Sequence, residues 1–177
     1  MSKLLAAFCD DLDRGTIDRP QGFPFQGAVI AAATNGRVFV MDFTAPALPD
    51  IFPGNIQLCI DQYLNMPVTD HGKFLKADLA KKIAARPSAP CVCGESECAK
   101  EHKPHRPNKA LDVNGARIDC AILRRILAVA PAGSGIHVRS IDPENPVIFH
   151  VPGKWLALVM SLRRNARTDA LWSAVSL

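Results

Sequence analysis

Three cysteines and two histidines lie within fifteen positions, in the segment Cys91-Val-Cys93-Gly-Glu-Ser-Glu-Cys98-Ala-Lys-Glu-His102-Lys-Pro-His105. Thiolate and imidazole are ligands that zinc prefers, and a short loop can wrap a tetrahedral ion with bonds of about 2.0–2.3 Å. The segment has almost no large apolar side chain, so without a metal it lacks the burial that would offset the entropy of ordering it. The spacing therefore predicts a zinc site.

We predict Cys91, Cys93, Cys98 and His102 as ligands, with His105 as the substitute for His102. Four protein ligands close a zinc site and leave no position for water, so the predicted role is structural. The alternatives are a polar loop with incidental thiols and a disulfide such as Cys93 to Cys98. An enzyme would require water in place of one imidazole and a nearby glutamate as base. We expect no catalytic activity.

Length and composition fit a protein with one core. Of the 177 residues 48% are hydrophobic, enough for one substantial core and too few for two large domains. We expect one domain over residues 1–163, with the loop 91–105 inserted, and a C-terminal helix or arm over 164–177.

Apolar runs fall short of the roughly 20 residues of a membrane span, and the N-terminus is unlike a secretory leader. We therefore expect a cytoplasmic protein with no membrane partner. In a reducing compartment the scattered cysteines are expected to be core residues: Cys9, Cys59 and Cys120.

The hydrophobic patterns predict an α+β fold with mainly antiparallel strands. Apolar residues at helical spacing predict helices over 3–13, 74–85 and 117–130. Runs rich in β-branched and aromatic residues predict strands over 25–33, 37–43, 56–64, 110–113, 136–141, 147–151 and 155–162. Thr34-Asn35-Gly36 predicts a tight hairpin turn, because Asn-Gly readily adopts positive φ angles. The short connections favour antiparallel pairing of neighbouring strands.

The second half thus reads strand, helix, strand, strand, strand, and it ends Asn145-Pro-Val-Ile-Phe-His-Val-Pro-Gly-Lys-Trp-Leu-Ala-Leu-Val-Met-Ser-Leu-Arg163. This ending resembles that of the bacterial DNA polymerase III β sliding clamps. The penultimate clamp strand begins with Pro-Val, here Pro146-Val147, and the last ends in a Met-Pro-Leu/Met-Arg-like sequence, in which serine here replaces the proline. Leu111-Asp-Val-Asn-Gly115 and the helix from Arg117 resemble the opening of the same repeat. The hairpin over 27–43 is similar to the early strands of a clamp.

The resemblance implies a clamp-like domain of strand-helix-strand-strand-strand repeats with an inserted metal-binding loop. Family clamps have three such domains per chain and close as rings, whose helices face DNA and contact its phosphates through long basic side chains. This chain would supply one domain, so a ring would require a homo-oligomer. The zinc-like loop, the helix over 74–85 and the tail beyond Arg163 depart from the family pattern.

Basic residues are concentrated in the middle of the chain. From Lys73 to Arg125 there are twelve Lys or Arg and six Asp or Glu, whereas the remainder has nine and eleven. Such an excess attracts a polyanion, because neutralised phosphates release counterions; a solvated basic surface is the alternative. Following the resemblance, we predict phosphate contacts at six positions: Arg117, Arg124, Arg125, Lys76, Lys81 and Lys82.

These features predict a non-enzymatic, clamp-like accessory protein of DNA replication or repair, carried by a phage or plasmid. It would bind double-stranded DNA without sequence preference, or bind replication proteins that partner clamps. The alternative is a small zinc-containing interaction protein that inhibits or regulates a host complex. The sequence carries neither the phosphate loop Gly-x4-Gly-Lys-Ser/Thr nor the dinucleotide fingerprint Gly-x-Gly-x2-Gly, so the usual marks of nucleotide-driven chemistry are missing.

Overall fold

Four helices and ten strands make up the part of the chain that the computed structural model describes, residues 2–9, 19–84, 108–130, 133–162 and 172–177. The helices are α1 (Lys3–Ala6), α2 (Gly54–Leu64), α3 (Lys76–Ala84) and α4 (Cys120–Val129). The strands are β1 (Gln21–Phe25), β2 (Ala28–Thr34), β3 (Val38–Asp42), β4 (Thr69–Leu75), β5 (Asn108–Val113), β6 (Ala116–Asp119), β7 (Gly135–Ser140), β8 (Val147–Val151), β9 (Trp155–Val159) and β10 (Trp172–Ser176). The predicted α+β class with mainly antiparallel sheets is confirmed.

Seven strands form one antiparallel sheet in the order β1-β2-β3-β9-β8-β7-β4. β3 and β9 pair at its centre, with Val38 opposite Val159 and Asp42 opposite Trp155. On each side of this pair lie three strands that follow one another along the chain, β1 to β3 and β7 to β9. Each set follows a helix, α1 or α4 respectively. The second half has two strands, β5 and β6, before α4 and three after it, so the predicted order strand, helix, strand, strand, strand lacked β6.

One face of the large sheet packs against helices α1, α3 and α4, which we call the helix layer. Side chains alternate between the two faces of a strand, so Val38 and Val40 of β3 point to this layer while Phe39 points away. Helix α4 contacts both α1 and α3. Together with the turn after α1, the helices add nine buried apolar side chains to the shared core: Leu4, Leu5, Phe8, Leu79, Ile83, Cys120, Leu123, Ile126 and Leu127.

The opposite face, which we call the outer face, carries a second core built around three phenylalanines. Phe23, Phe39 and Phe52 are at most 3% exposed, and their rings meet edge to face at centroid distances of 5.0, 5.8 and 6.3 Å. Such contacts are favourable because the positive edge of one ring meets the negative face of the next. Helix α2 packs against this core through its partly buried apolar residues: Ile56, Ile60, Tyr63 and Leu64.

The hairpin between β2 and β3 forms where it was predicted, but its turn is one residue further along. Asn35 and Val38 are the last paired residues, and the Asn35 side-chain oxygen accepts hydrogen bonds from the backbone N–H groups of Arg37 and Val38, both at 3.0 Å. Of the two turn residues only Gly36 has a positive φ, 77°, which is the pattern of a type II′ turn. Asn35 therefore stabilises the turn through its side chain rather than through a positive φ angle.

A small sheet in the order β10-β5-β6 completes the core on the side of the helix layer. β5 and β6 form a hairpin whose two turn residues, Asn114 and Gly115, both have positive φ, at 50° and 86°. β10 pairs with β5 in parallel. The prediction for residues 164–177 was a helix or arm, so the strand over 172–176 corrects it for that part of the tail.

Helix α2 replaces the strand predicted over 56–64. The strand assignment followed the alternation of Ile56, Leu58 and Ile60, but Leu58 is 73% exposed and the packed residues lie at spacings of three and four. Ile56, Ile60, Tyr63 and Leu64 fall on one side of a helix and meet the outer-face core. Residues 56 and 60 fall on the same side both in a strand, whose side chains repeat every two residues, and in a helix, whose side chains repeat every 3.6. The remaining apolar positions are what distinguish the helix from the strand.

The helix predicted over 117–130 begins later, because residues 116–119 form strand β6. Arg117 is consequently a strand residue, and the prediction that it lies on the same helix as Arg124 is wrong. Asp119 ends the strand and caps α4, since its side chain accepts a hydrogen bond from the Ala121 N–H at 2.7 Å. Similarly, the helix predicted over 74–85 begins at Lys76, and the preceding residues 69–75 form the edge strand β4.

Candidate nucleic-acid interface

The predicted zinc ligands Cys91, Cys93, Cys98, His102 and His105 lie outside the described residues. Within the described ranges no group of three or more His, Cys, Asp or Glu side chains is arranged to hold a metal ion. Burial raises the pKa of the Cys120 thiol to about 11. That thiol is protonated near neutral pH, which agrees with its predicted role as a core residue. Cys59 is exposed on α2, so the prediction that it is a core residue is wrong.

The helix layer carries most of the basic residues that were predicted to contact DNA. Helices α1, α3 and α4 contain six Lys or Arg and one acidic residue, Asp78. Lys81 on α3 and Arg124 on α4 are exposed, opposite the buried Leu79 and Ile126 of the same helices. Among the described residues neither of the two makes an ion pair or a hydrogen bond through its side chain. Both are therefore available to a polyanion that lies along these helices.

Three other basic side chains bind carbonyl groups at helix ends. Lys76 Nζ donates to the Ala130 carbonyl after α4 at 2.6 Å, and Lys109 Nζ donates to the Ala84 carbonyl at the end of α3 at 2.9 Å. Arg125 donates to the Ala7 carbonyl after α1, and its guanidinium lies 5.2 Å from the centre of the Phe8 ring. Carbonyls at a helix C-terminus lack partners within the helix and carry partial negative charge, so a cation is stabilising there. These three residues link the helices to one another and to β5.

The remaining predicted contacts are partly buried. Lys82 Nζ donates to the Ser176 carbonyl of β10 at 3.3 Å. Arg117 is half-buried on β6, and its backbone carbonyl accepts from the Leu162 N–H at 2.7 Å. The six predicted residues thus do not form one uniform exposed patch. Arg124 and Lys81 face solvent, and Lys76, Lys82 and Arg125 hold other parts of the protein.

A second group of polar residues lies on the outer face and was not predicted to be functional. His137 of β7 and His150 of β8 are cross-strand partners whose rings stack with centroids 5.0 Å apart. Next to them, Arg139 Nε lies 3.5 Å from Asp70 Oδ2, an ion pair at the limit of hydrogen bonding. In sequence these residues are scattered over β4, β7 and β8, so only the sheet register brings them together. Alternation within β7 was the one available signal, because it places His137 and Arg139 on the side of the strand opposite the apolar Ile136 and Val138.

Burial and neighbouring groups together lower the pKa of His150. Burial is the main cause, and the electrostatic influence of Arg139 and His137 lowers the pKa further against the attraction of Asp70. The pKa of Asp70 is lowered chiefly by the hydrogen bond from the Gly72 N–H at 2.7 Å, with a further contribution from Arg139. At neutral pH His150 is therefore neutral and Asp70 ionised. His150 Nε2 is enclosed and has no hydrogen-bond partner among the described residues.

Comparisons with known proteins found no matching family model, no similar curated protein and no similar solved structure. Among the helices described, none has the length and apolar character needed to cross a membrane.

Proposed function

We propose that this chain is a non-enzymatic, clamp-like accessory protein of DNA replication or repair that acts in the cytoplasm and binds duplex DNA without sequence preference. The observation that supports the proposal is the helix layer, whose three adjacent helices carry six basic residues and one acidic residue over one face of the large sheet. A row of cations on helices suits phosphates, whose contacts position a protein on DNA without reading bases. The sequence resemblance to sliding clamps points to the same face.

Within this proposal the exposed cations make the phosphate contacts and the helix-end cations hold the layer in place. Arg124 and Lys81 project into solvent, whereas Lys76 and Arg125 bind the Ala130 and Ala7 carbonyls. A lysine or arginine that already donates to a carbonyl retains its charge and still adds to the field around the layer. The direct contacts are therefore assigned to Arg124 and Lys81, and the supporting field to the others.

The binding of a fluorescent duplex by the full chain, followed by anisotropy over a range of salt concentrations, tests the proposal. We expect the affinity to fall steeply with salt, because each neutralised phosphate contributes about 0.9 to the slope of log K against log salt. Duplexes of unrelated sequence should bind equally within about threefold, since no base is read. Absence of binding at low salt, or affinity that is independent of salt, would contradict the DNA function.

A second candidate function is that of a small phage- or plasmid-type interaction protein that inhibits or regulates a host complex. It is favoured by apolar side chains left exposed on or beside α2, namely Leu58 at 73% and Ile51 at 43%. The mass of the protein in solution separates the candidates, because a clamp-like ring built from one domain per chain needs several copies. A monomer that does not bind DNA would favour the interaction protein.

We also propose that the segment 91–105 binds one structural zinc ion through Cys91, Cys93, Cys98 and either His102 or His105. The support is the density of thiols and imidazoles in a loop with almost no large apolar side chain. Elemental analysis of the purified chain should give about one zinc per molecule, the stoichiometry of a single four-ligand site. The double variant Cys93→Ser/Cys98→Ser should lose the metal. Cys59→Ser, which changes an exposed thiol on α2, should retain it, and equal metal content in all three proteins would rule out this site.

A further inference from the structure

Helix α2 covers part of the outer face of the large sheet, but it is held there less firmly than the other helices are held. Helices α1, α3 and α4 each bury apolar side chains, whereas no residue of α2 is buried. Each of those three also packs closely against a strand or another helix, and among the described elements α2 has no neighbour as close. An element with few buried contacts needs little free energy to detach from the rest of a fold.

The ends of α2 also lack contacts that stabilise the ends of other helices. Ser2 and Asp119 cap α1 and α4 through their side chains, whereas Pro53 before α2 makes no such hydrogen bond. The first turn of α2 contains no acidic residue and its last turn no basic one, so no charge compensates the helix dipole. Asp61 lies in the last turn, where a negative charge is unfavourable.

Two clefts flank α2, so the apolar underside of the helix is not sealed against the sheet. A cleft of about 790 Å³ is lined by Leu64, and a second cleft of about 350 Å³ is lined by Ile60 and Tyr63. On the sheet, Ile148 lines the first cleft and Leu158 the second, and both belong to the outer-face core. The apolar surface of the sheet therefore extends past α2 on both sides.

The chain on either side of α2 is suited to a hinge. Phe52, just before the helix, is fixed: it is 1% exposed and its N–H donates to the Gly22 carbonyl at 3.0 Å. The helix begins at Gly54, where a Cβ atom would meet no other atom within 4 Å, so its first residue is free of close neighbours. One side-chain hydrogen bond, from Gln57 to the Phe52 carbonyl, crosses this point. After α2, the mostly exposed segment 65–68 leads to β4.

We propose that α2 is a hinged cover, which swings away from the outer face as one unit while the two sheets and the helix layer stay folded. Opening joins the two clefts and uncovers the apolar sheet surface around Phe39, Ile148 and Leu158. Phe52 stays in place as the fixed end of the hinge. The protein therefore has a closed form and an open form, and the open form offers an apolar surface that the closed form hides. The helix layer lies on the opposite face of the sheet, so opening does not require any change in the proposed DNA contacts.

Hydrogen exchange of the full chain, followed residue by residue by NMR at several low urea concentrations, tests the proposal. After correction for intrinsic rates, we expect the hydrogen-bonded amides of α2 to exchange at least about a hundredfold faster than those of β3 and β9. Exchange in α2 should depend weakly on urea and exchange in β3 and β9 steeply, because the response to urea follows the surface exposed on opening. Equal rates and equal urea dependence in α2 and the central strands would overturn the proposal. A steady gradient of rates along residues 58–64 would also overturn it, because that pattern indicates fraying rather than movement as one unit.

The same substitution in two helices supplies the matched control. Ile126 of α4 is 1% exposed and stays buried in both forms, so Ile126→Val should accelerate exchange in β9 by about threefold to tenfold and leave exchange in α2 almost unchanged. Ile60 packs against the sheet only in the closed form, so Ile60→Val should accelerate exchange in α2 and β9 by the same factor. Equal acceleration of α2 and β9 by Ile126→Val would mean that α2 opens only when the whole chain unfolds. The urea dependence in the unmodified chain needs no variant, so it decides the matter even if a variant folds poorly.

Discussion

Phe39→Ala is expected to lower the free energy of unfolding by about 3–5 kcal/mol, the range for removing a buried phenylalanine. Phe39 is 3% exposed and its ring meets both Phe23, at 5.0 Å, and Phe52, at 5.8 Å. It also lies on β3 opposite Leu158 of β9, at the centre of the large sheet. The substitution therefore removes two edge-to-face ring contacts and opens a cavity between the sheet and the segment leading into α2. Urea denaturation monitored by circular dichroism measures the change.

The matched control is Leu58→Ala on α2. Leu58 is 73% exposed, so its truncation should change the free energy of unfolding by less than about 0.5 kcal/mol. The slope of the free energy of unfolding against urea concentration should be the same in both variants, because the surface exposed on unfolding hardly changes. A loss below about 1 kcal/mol for Phe39→Ala would mean that the aromatic core is looser than these ring contacts imply.

The double variant Lys81→Glu/Arg124→Glu is expected to weaken duplex DNA binding by about tenfold to a hundredfold at low salt, since two phosphate contacts are lost and two repulsive charges are added. Both side chains are exposed on adjacent helices of the helix layer, and among the described residues neither supports another element. The slope of log K against log salt should fall by about two, one for each lost contact. Anisotropy titrations at several salt concentrations give both quantities.

The control for this variant is Arg19→Glu/Arg37→Glu, which changes the net charge by the same amount. Both arginines are exposed and lie outside the helix layer, Arg19 beside Asp50 and Arg37 on the β2–β3 turn. For this control, the slope of log K against log salt should equal that of the unmodified chain. Equal losses in the two double variants would show that total charge, rather than the helix layer, determines binding.

Much of the large sheet could be predicted from local patterns. In strands β7 to β9, apolar residues that face the helix layer alternate with residues that face outward, and short turns join the strands. Both the strand structure and the antiparallel pairing of neighbours could therefore be predicted from the sequence. The same rule failed at α2, where Ile56 and Ile60 fit both a strand and a helix. Arg117 was misplaced because Ile118 and Ile122 lie four apart, as in a helix, although a strand ends and a helix begins between them.

The site required information that no local pattern contains. The sequence predicted that Arg125 and Lys76 would be phosphate ligands, whereas each binds the carbonyl of a residue more than 50 positions away. Lys109, which binds the end of α3, was not singled out because its role depends on how β5 packs against that helix. The outer-face group of polar residues could not be predicted either, because its members come from three strands that only the sheet register brings together. Charge and periodicity predicted where basic residues concentrate but not which of them remain free to bind.

The central pairing of β3 with β9 has a consequence for the order in which the protein can assemble during translation. Asp42 and Val159, at the two ends of these paired strands, are separated by about 117 positions, which a ribosome needs on the order of 6–23 s to add at typical rates. Until β9 emerges, β3 presents an unpaired apolar edge to other nascent chains. Such a long-range pairing also slows folding, because a large loop must close before its contacts form. Early binding of a chaperone to the β1–β3 hairpins would protect that edge.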